Sequence, residues 1–233
     1  MLGGYTIDVN NGSRLPQDVA SGFGHAFEGL TGAEYEMIAY LGKQTVNGVN
    51  HAFLALQKLI TKDDIKNIVL IVLNAKPGDV GGETFSVVEI KRLLSDGSNL
   101  MGGINIAPTT KIPDNAMNVF NDHFGTYFGV SSTKPIALLA TQVVNGVAYY
   151  FATESTLITG PVNGINVITN SASHVNINIV KVFDKYPDIE TKTILSGTKV
   201  GGELAGSNDA VDQNRLSTAL LNPSAAVGYA FNW

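Results

Sequence analysis

The 233-residue chain contains no cysteine and carries little charge: 15% Asp, Glu, Lys and Arg, with a net charge of −5. The missing thiols exclude disulfides, cysteine nucleophiles and Cys-ligated metals together, and suit a reducing compartment or a core that needs no staples. Basic runs are also lacking. Phosphate binding draws its affinity from clustered Lys and Arg, so nucleic acid is not expected as a partner. The longest apolar run, Ile68 to Leu73, is far too short to cross a bilayer. The start, Met1-Leu2-Gly3-Gly4-Tyr5, has neither a basic n-region nor an apolar h-region, so no signal peptide and no membrane partner are expected. The sequon Asn11-Gly12-Ser13 reads as a chance match.

What is present is repetition. Gln44-Thr45-Val46-Asn47-Gly48 recurs as Gln142-Val143-Val144-Asn145-Gly146, a spacing of 142 − 44 = 98 residues. Gly3-Gly4 recurs as Gly102-Gly103, Leu15-Pro16 as Ile112-Pro113, and Leu59-Ile60-Thr61 as Leu157-Ile158-Thr159. Self-similarity at this length means one structural unit used twice. The reading divides the chain into residues 1–95, residues 102–184 and a C-terminal extension, 185–233, with Ser95 to Met101 as linker.

Each unit opens on a helical pattern. After Pro16, the residues Val19, Phe23, Phe27 and Leu30 form one apolar stripe; after Pro113, Ala116, Val119, Phe120, Phe124 and Tyr127 repeat it. Gly29 and Gly125 sit where helix ends are expected. Strand-like runs follow: Tyr35 to Lys43 and His51 to Ile60 flank the first phrase, Lys134 to Thr141 and Tyr149 to Ile158 the second. Asn-Gly between such runs predicts a type I′ hairpin turn. A third run, Asn67 to Leu73, is matched to Ile165 to Thr169, and a fourth, Thr84 to Leu93, to Val175 to Phe183. The expected fold class is therefore α+β, each unit a helix packed on a four- to five-stranded antiparallel sheet. In the extension, Asp209 to Leu221 suits a helix, and Tyr229, Phe231 and Trp233 suit docking on the body or on a partner.

The order Gly-Gly, helix, strand, Gln-x-Val-x-Gly, strand, hairpin, strand resembles the cystatins, protein inhibitors of papain-like cysteine proteases. Their hallmark is Gln-Val-Val-Ala-Gly, and Gln142 to Gly146 is the closer of the two copies. The glycine start and the absent cysteines look most like the stefin branch, which is intracellular. The resemblance covers about residues 3–94 and 102–183 and implies two tandem cystatin-like units. It implies that Gly3, Gly4, Gly102 and Gly103 form trunks on one side of a protease cleft. Gln44, Thr45, Val46, Asn47 and Gly48, with Gln142, Val143, Val144, Asn145 and Gly146, would form the hairpins over the catalytic pair. A second hairpin would brace the far side, with Pro77-Gly78 as its stand-in in unit one and only Ser171 to His174 in unit two.

The leading expectation is a reversible inhibitor, not an enzyme, without cofactor or metal, and cytoplasmic. Its rival is a structural or adaptor protein, for example a virion component that meets neighbouring subunits. The hairpins alone explain Asn47-Gly48 and Asn145-Gly146; only Gln44 and Gln142 exceed what a turn requires. His25, His51, His123 and His174 show no metal spacing and read as surface or half-buried residues. Asp122-His123 has no Gly-x-Ser-x-Gly elbow to make a triad. Neither Gly22-Phe23-Gly24 nor Gly197 to Gly202 makes a nucleotide loop.

Overall fold

A computed structural model of the chain describes residues 3–10, 14–61, 64–76, 85–125, 131–157 and 173–199. The elements run β1 (Tyr5–Asn10), α1 (Gln17–His25), β2 (Ala33–Val46), β3 (Gly48–Leu59), β4 (Lys66–Ala75) and β5 (Ser86–Ser95). The same succession follows in β6 (Ile104–Thr109), α2 (Asp114–Phe124), β7 (Ser131–Val144), β8 (Gly146–Leu157), β9 (Ser173–Phe183) and β10 (Ile189–Lys199).

The helices start where the prolines predicted. Pro16 and Pro113 hold extended N-cap geometry, and Asp18 and Asp114 place negative charge in the first turns, where the helix dipole favours it. α1 is shorter than its stripe suggested. Leu30 lies beyond α1 and is exposed, and Tyr127 is outside the described residues. Each helix anchors its strands through one phenylalanine pair: Phe23 on Phe53 at 5.0 Å and Phe120 on Phe151 at 5.1 Å between ring centroids. Phe53 and Phe151 are fully buried, each stabilising its half by about 1.5–3 kcal/mol.

The expectation of two separate helix-on-sheet cystatin-like units is overturned. Among the described residues all ten strands join one mixed sheet in the order β5-β4-β3-β2-β1-β10-β9-β8-β7-β6, and helix is confined to two short segments. The joint is β1 against β10, a parallel pairing of Tyr5 with Gly197 and Thr6 with Thr198. The sheet then curls until β6, at one end of the order, touches β4 near the other. One core receives buried side chains from every strand, from Ile7 on β1 to Leu195 on β10. Smaller clusters lie under α1 (Val19, Phe23) and α2 (Ala116, Phe120). At the far side of the curl the Gly97 amide donates to the Ile104 carbonyl at 2.8 Å.

The strand assignment of the second half also shifts. Val175 to Phe183, read as a fourth strand, belongs to β9 and pairs with β8 as β4 pairs with β3. A further strand, β10, lies in the segment read as C-terminal extension. Ile165 to Thr169, Asp209 to Leu221 and the aromatic residues Tyr229, Phe231 and Trp233 lie outside the described residues.

Candidate functional site

The phrase hairpins are three-residue loops rather than type I′ turns. Val46 opposes Gly48, Val144 opposes Gly146, and Asn47 and Asn145 stand alone at the tips. Of each Asn-Gly pair only the glycine has positive φ, 97° at Gly48 and 122° at Gly146. That fits a loop closed by a glycine bulge, a conformation L residues avoid. A Cβ on Gly48 would lie 2.2 Å from the Ala75 carbonyl oxygen, and one on Gly146 2.4 Å from Asp184 Oδ1.

The two glutamines do the same work twice. Gln44 Nε2 donates to the Gly3 carbonyl at 2.8 Å, and Gln142 Nε2 to the Gly102 carbonyl at 2.7 Å. Each ties the glycine trunk to its hairpin. Their acceptor sides are used as well: Asn50 Nδ2 donates to Gln44 Oε1 at 3.1 Å, and the Tyr150 hydroxyl to Gln142 Oε1 at 2.7 Å. Asn74 extends the first network by donating to Asn50 Oδ1 at 2.8 Å. The repeated glutamine is therefore a structural clip, a role a hairpin by itself does not supply.

Trunk and hairpin thus meet in both halves, but the halves differ in what they present. In the first, Gly3, Gly4, Thr45 and Asn47 are exposed and Val46 is half-buried. In the second, Leu100, Met101, Val143 and Val144 are exposed, Met101 completely. A third element joins them. The turn Asp184–Asp188 between β9 and β10 is tied to the second phrase: Asp184 Oδ1 accepts from the Val147 amide at 3.0 Å, and the Asp184 amide donates to the Val147 carbonyl at 3.0 Å. The Asn145 side-chain amide donates to the hydroxyl of Tyr186, itself exposed.

This turn is the part of the edge that sequence reading missed. Displaced strand assignments had put the second hairpin at Ser171 to His174. Ser173 and His174 open β9 instead, opposite the phrase end of that strand. Tyr186-Pro187-Asp188 after the run ending at Phe183 was the available signal, since Pro and Asp favour turns. Pro77 and Gly78, the stand-ins in unit one, lie outside the described residues.

His123 fixes the turn from below. Its Nδ1 lies 2.8 Å from the Val119 carbonyl oxygen and its Nε2 2.9 Å from that of Tyr186. The edge of the second half is thus a braced wedge of three segments, its rim apolar.

A cleft of about 340 Å3 lies beside the β1–β10 seam and includes Asp8, Tyr40, Lys43, His51 and Lys199. The Tyr40 hydroxyl and His51 Nδ1 are 3.2 Å apart. His51 is buried rather than surface or half-buried, and it stacks on Phe85 at 5.2 Å. Burial first, with the charges of Asp8 and Asp18, raises the Tyr40 pKa above its ordinary value. Burial first, then Lys43, lowers that of His51, against a weaker pull from Asp18. Both groups are held neutral, and the Lys199 ammonium is engaged with Glu154 at 2.8 Å. The pair is a hydrogen bond between uncharged partners beside the seam, which weighs for a structural part.

Among the described residues no group of three or more His, Asp or Glu could hold a metal ion, and no helix is long and apolar enough to cross a membrane. No protein-family model, curated protein or solved structure matches this chain.

Proposed function

We propose that the chain is a non-enzymatic binding protein that seats the second-half wedge in an apolar cleft of a protein partner, and that the partner class is a papain-like cysteine protease. The reading is carried by one observation: Leu100, Met101, Val143, Val144 and Tyr186, all exposed, border segments that are hydrogen-bonded to one another. Exposed apolar groups gathered at one site mark interaction surfaces, whereas scattered ones do not. A wedge already clipped by Gln142 and Asp184 loses little conformational entropy on binding. The first-half edge is polar at its tip and contributes less.

Titration of papain with the purified chain tests this. The expected result is loss of protease activity with near-stoichiometric dependence, reversed on dilution. Val143→Asp, at an exposed position, places an unpaired carboxylate in the interface and weakens inhibition by roughly tenfold or more. Thr45→Asp leaves inhibition within about twofold, as expected of a rim position. Absence of inhibition at micromolar protein overturns the protease reading. A pull-down of neighbouring subunits that survives Val143→Asp would overturn the wedge itself.

A further inference from the structure

The two tip asparagines are chemically alike but held differently. Each precedes glycine, and a glycine amide is the least hindered backbone nucleophile a neighbouring side-chain amide can meet. Asn145 is engaged, since its Nδ2 donates to the Tyr186 hydroxyl, and that turn is bound in its own right to Val147 and to His123. Asn47 is exposed at the same position of the first hairpin and has no side-chain partner among the described residues.

We infer that Asn47 is a site of spontaneous deamidation, and that Tyr186 protects Asn145 from the same reaction. The Gly48 nitrogen attacks Asn47 Cγ. The N–Cγ bond forms, the Cγ–Nδ2 bond breaks, and ammonia leaves with the proton lost from the Gly48 amide. Water then opens the cyclic imide at either carbonyl. Its oxygen ends in the new carboxylate, giving aspartate or isoaspartate. No oxidant or reductant takes part. Reaction at Asn145 first requires its side-chain amide to leave the Tyr186 hydroxyl and turn toward the Gly146 nitrogen.

The consequence differs between the halves. At Asn47 the product adds one negative charge to a polar tip, and the isoaspartyl form adds a backbone methylene to a loop closed over Ala75. At Asn145 the same product would put a carboxylate beside Val143 and Val144, on the apolar rim. Protection therefore falls on the half whose surface the added charge would damage. The inference concerns the two hairpins alone and stands whether or not the rim binds a protease.

The test is to hold the full folded chain at mildly alkaline pH and follow its peptides by mass spectrometry after digestion, with isoaspartate assayed separately. Asn11-Gly12 and Asn163-Gly164, outside the described residues, fall at other positions of the digest and are counted apart. The expected result is that Asn47 converts about fivefold faster than Asn145, the factor that one neutral hydrogen bond contributes. Tyr186→Phe, which removes only the hydroxyl, raises the Asn145 rate toward that of Asn47 and leaves Asn47 unchanged. Equal rates in the wild type, an unchanged Asn145 rate in Tyr186→Phe, or an unreactive Asn47 in the native chain that reacts once unfolded each overturns the inference.

Discussion

The seam between β1 and β10 can be broken at one atom. A Cβ added to Gly197 would stand 2.3 Å from the Tyr5 carbonyl oxygen and 3.0 Å from Ile7 Cδ1. The first contact is with backbone, so no side-chain rotation relieves it: β1 must move away from β10 or the strand must twist. Overpacking of this kind costs about 1–3 kcal/mol. A fixed backbone oxygen places Gly197→Ala at about 2–3 kcal/mol, toward the upper end of that range. For a chain of this size each 1 kcal/mol moves Tm by about 2–4 °C, so a fall of roughly 5–10 °C is expected. Thermal unfolding followed by circular dichroism measures the shift, and hydrogen exchange at Tyr5, Thr6 and Ile7 measures whether the seam opens. Gly24→Ala is the control. It lies inside α1 with nothing within 4 Å of the added carbon, and should raise stability by up to about 1 kcal/mol through helix propensity. A Gly197→Ala variant with wild-type Tm and wild-type exchange on β1 would refute the single-sheet reasoning.

The other expectations concern the phrase glycines and the buried histidine. Gly48→Ala meets both a positive φ and the Ala75 backbone, so it should lower stability by about 2–4 kcal/mol in urea titration. Gly146→Ala meets the Asp184 carboxylate, a side-chain end that can swing aside at the cost of its hydrogen bond from the Val147 amide, so its loss should be smaller than that at Gly48. An equal loss at the two sites would show that strain at φ, not close approach, sets the cost. His51 has a folded-state pKa below its ordinary 6.5, so the unfolded chain takes up the proton first as pH falls. Its contribution to stability is complete above about pH 6.5 and is lost as pH drops through the interval below that value. His51→Gln should flatten the fall of the urea midpoint between about pH 7 and 5, and an unchanged slope would remove His51 as its source.

Much of the local structure was legible in the sequence because it depends on near neighbours. Pro16 and Pro113 marked the helix starts, and the runs around Gln44 to Gly48 and Gln142 to Gly146 marked β2, β3, β7 and β8 to within a few residues. The second half became hard to read after Leu157, where the 98-residue offset stops holding. β4 is a continuous apolar run, while β9 buries Asn178 and half-buries Asn176 among its apolar residues. Asn178 is tolerated there because it donates to Ser155 Oγ and accepts from Thr193 Oγ1, partners supplied by other strands. β10 is largely exposed, with Leu195 and Gly197 its buried residues, so it carries little hydrophobic pattern. The joining of the halves was illegible for a related reason. Two backbone pairings and a glycine make the β1–β10 contact, and none leaves a side-chain signature. At the site, the phrase was visible but the purpose of its glutamine was not, because Gly3 and Gly102 are about forty residues away in the chain.

The same seam governs how the molecule is made. Tyr5 and Gly197 are 197 − 5 = 192 residues apart, so β1 waits for β10, made 192 residues later, before its second edge is paired. Contacts of such separation slow folding, since loop closure is unfavourable until the reward of pairing arrives. Until then a nascent chain carries an open strand edge next to an incomplete core, the condition in which copies of a chain join one another wrongly. A duplicated sequence would ordinarily permit each half to fold alone as it emerges from the ribosome. Here the two halves share one core, and the finished state is reached only when β1 and β10, far apart in the chain, pair at the middle of the sheet.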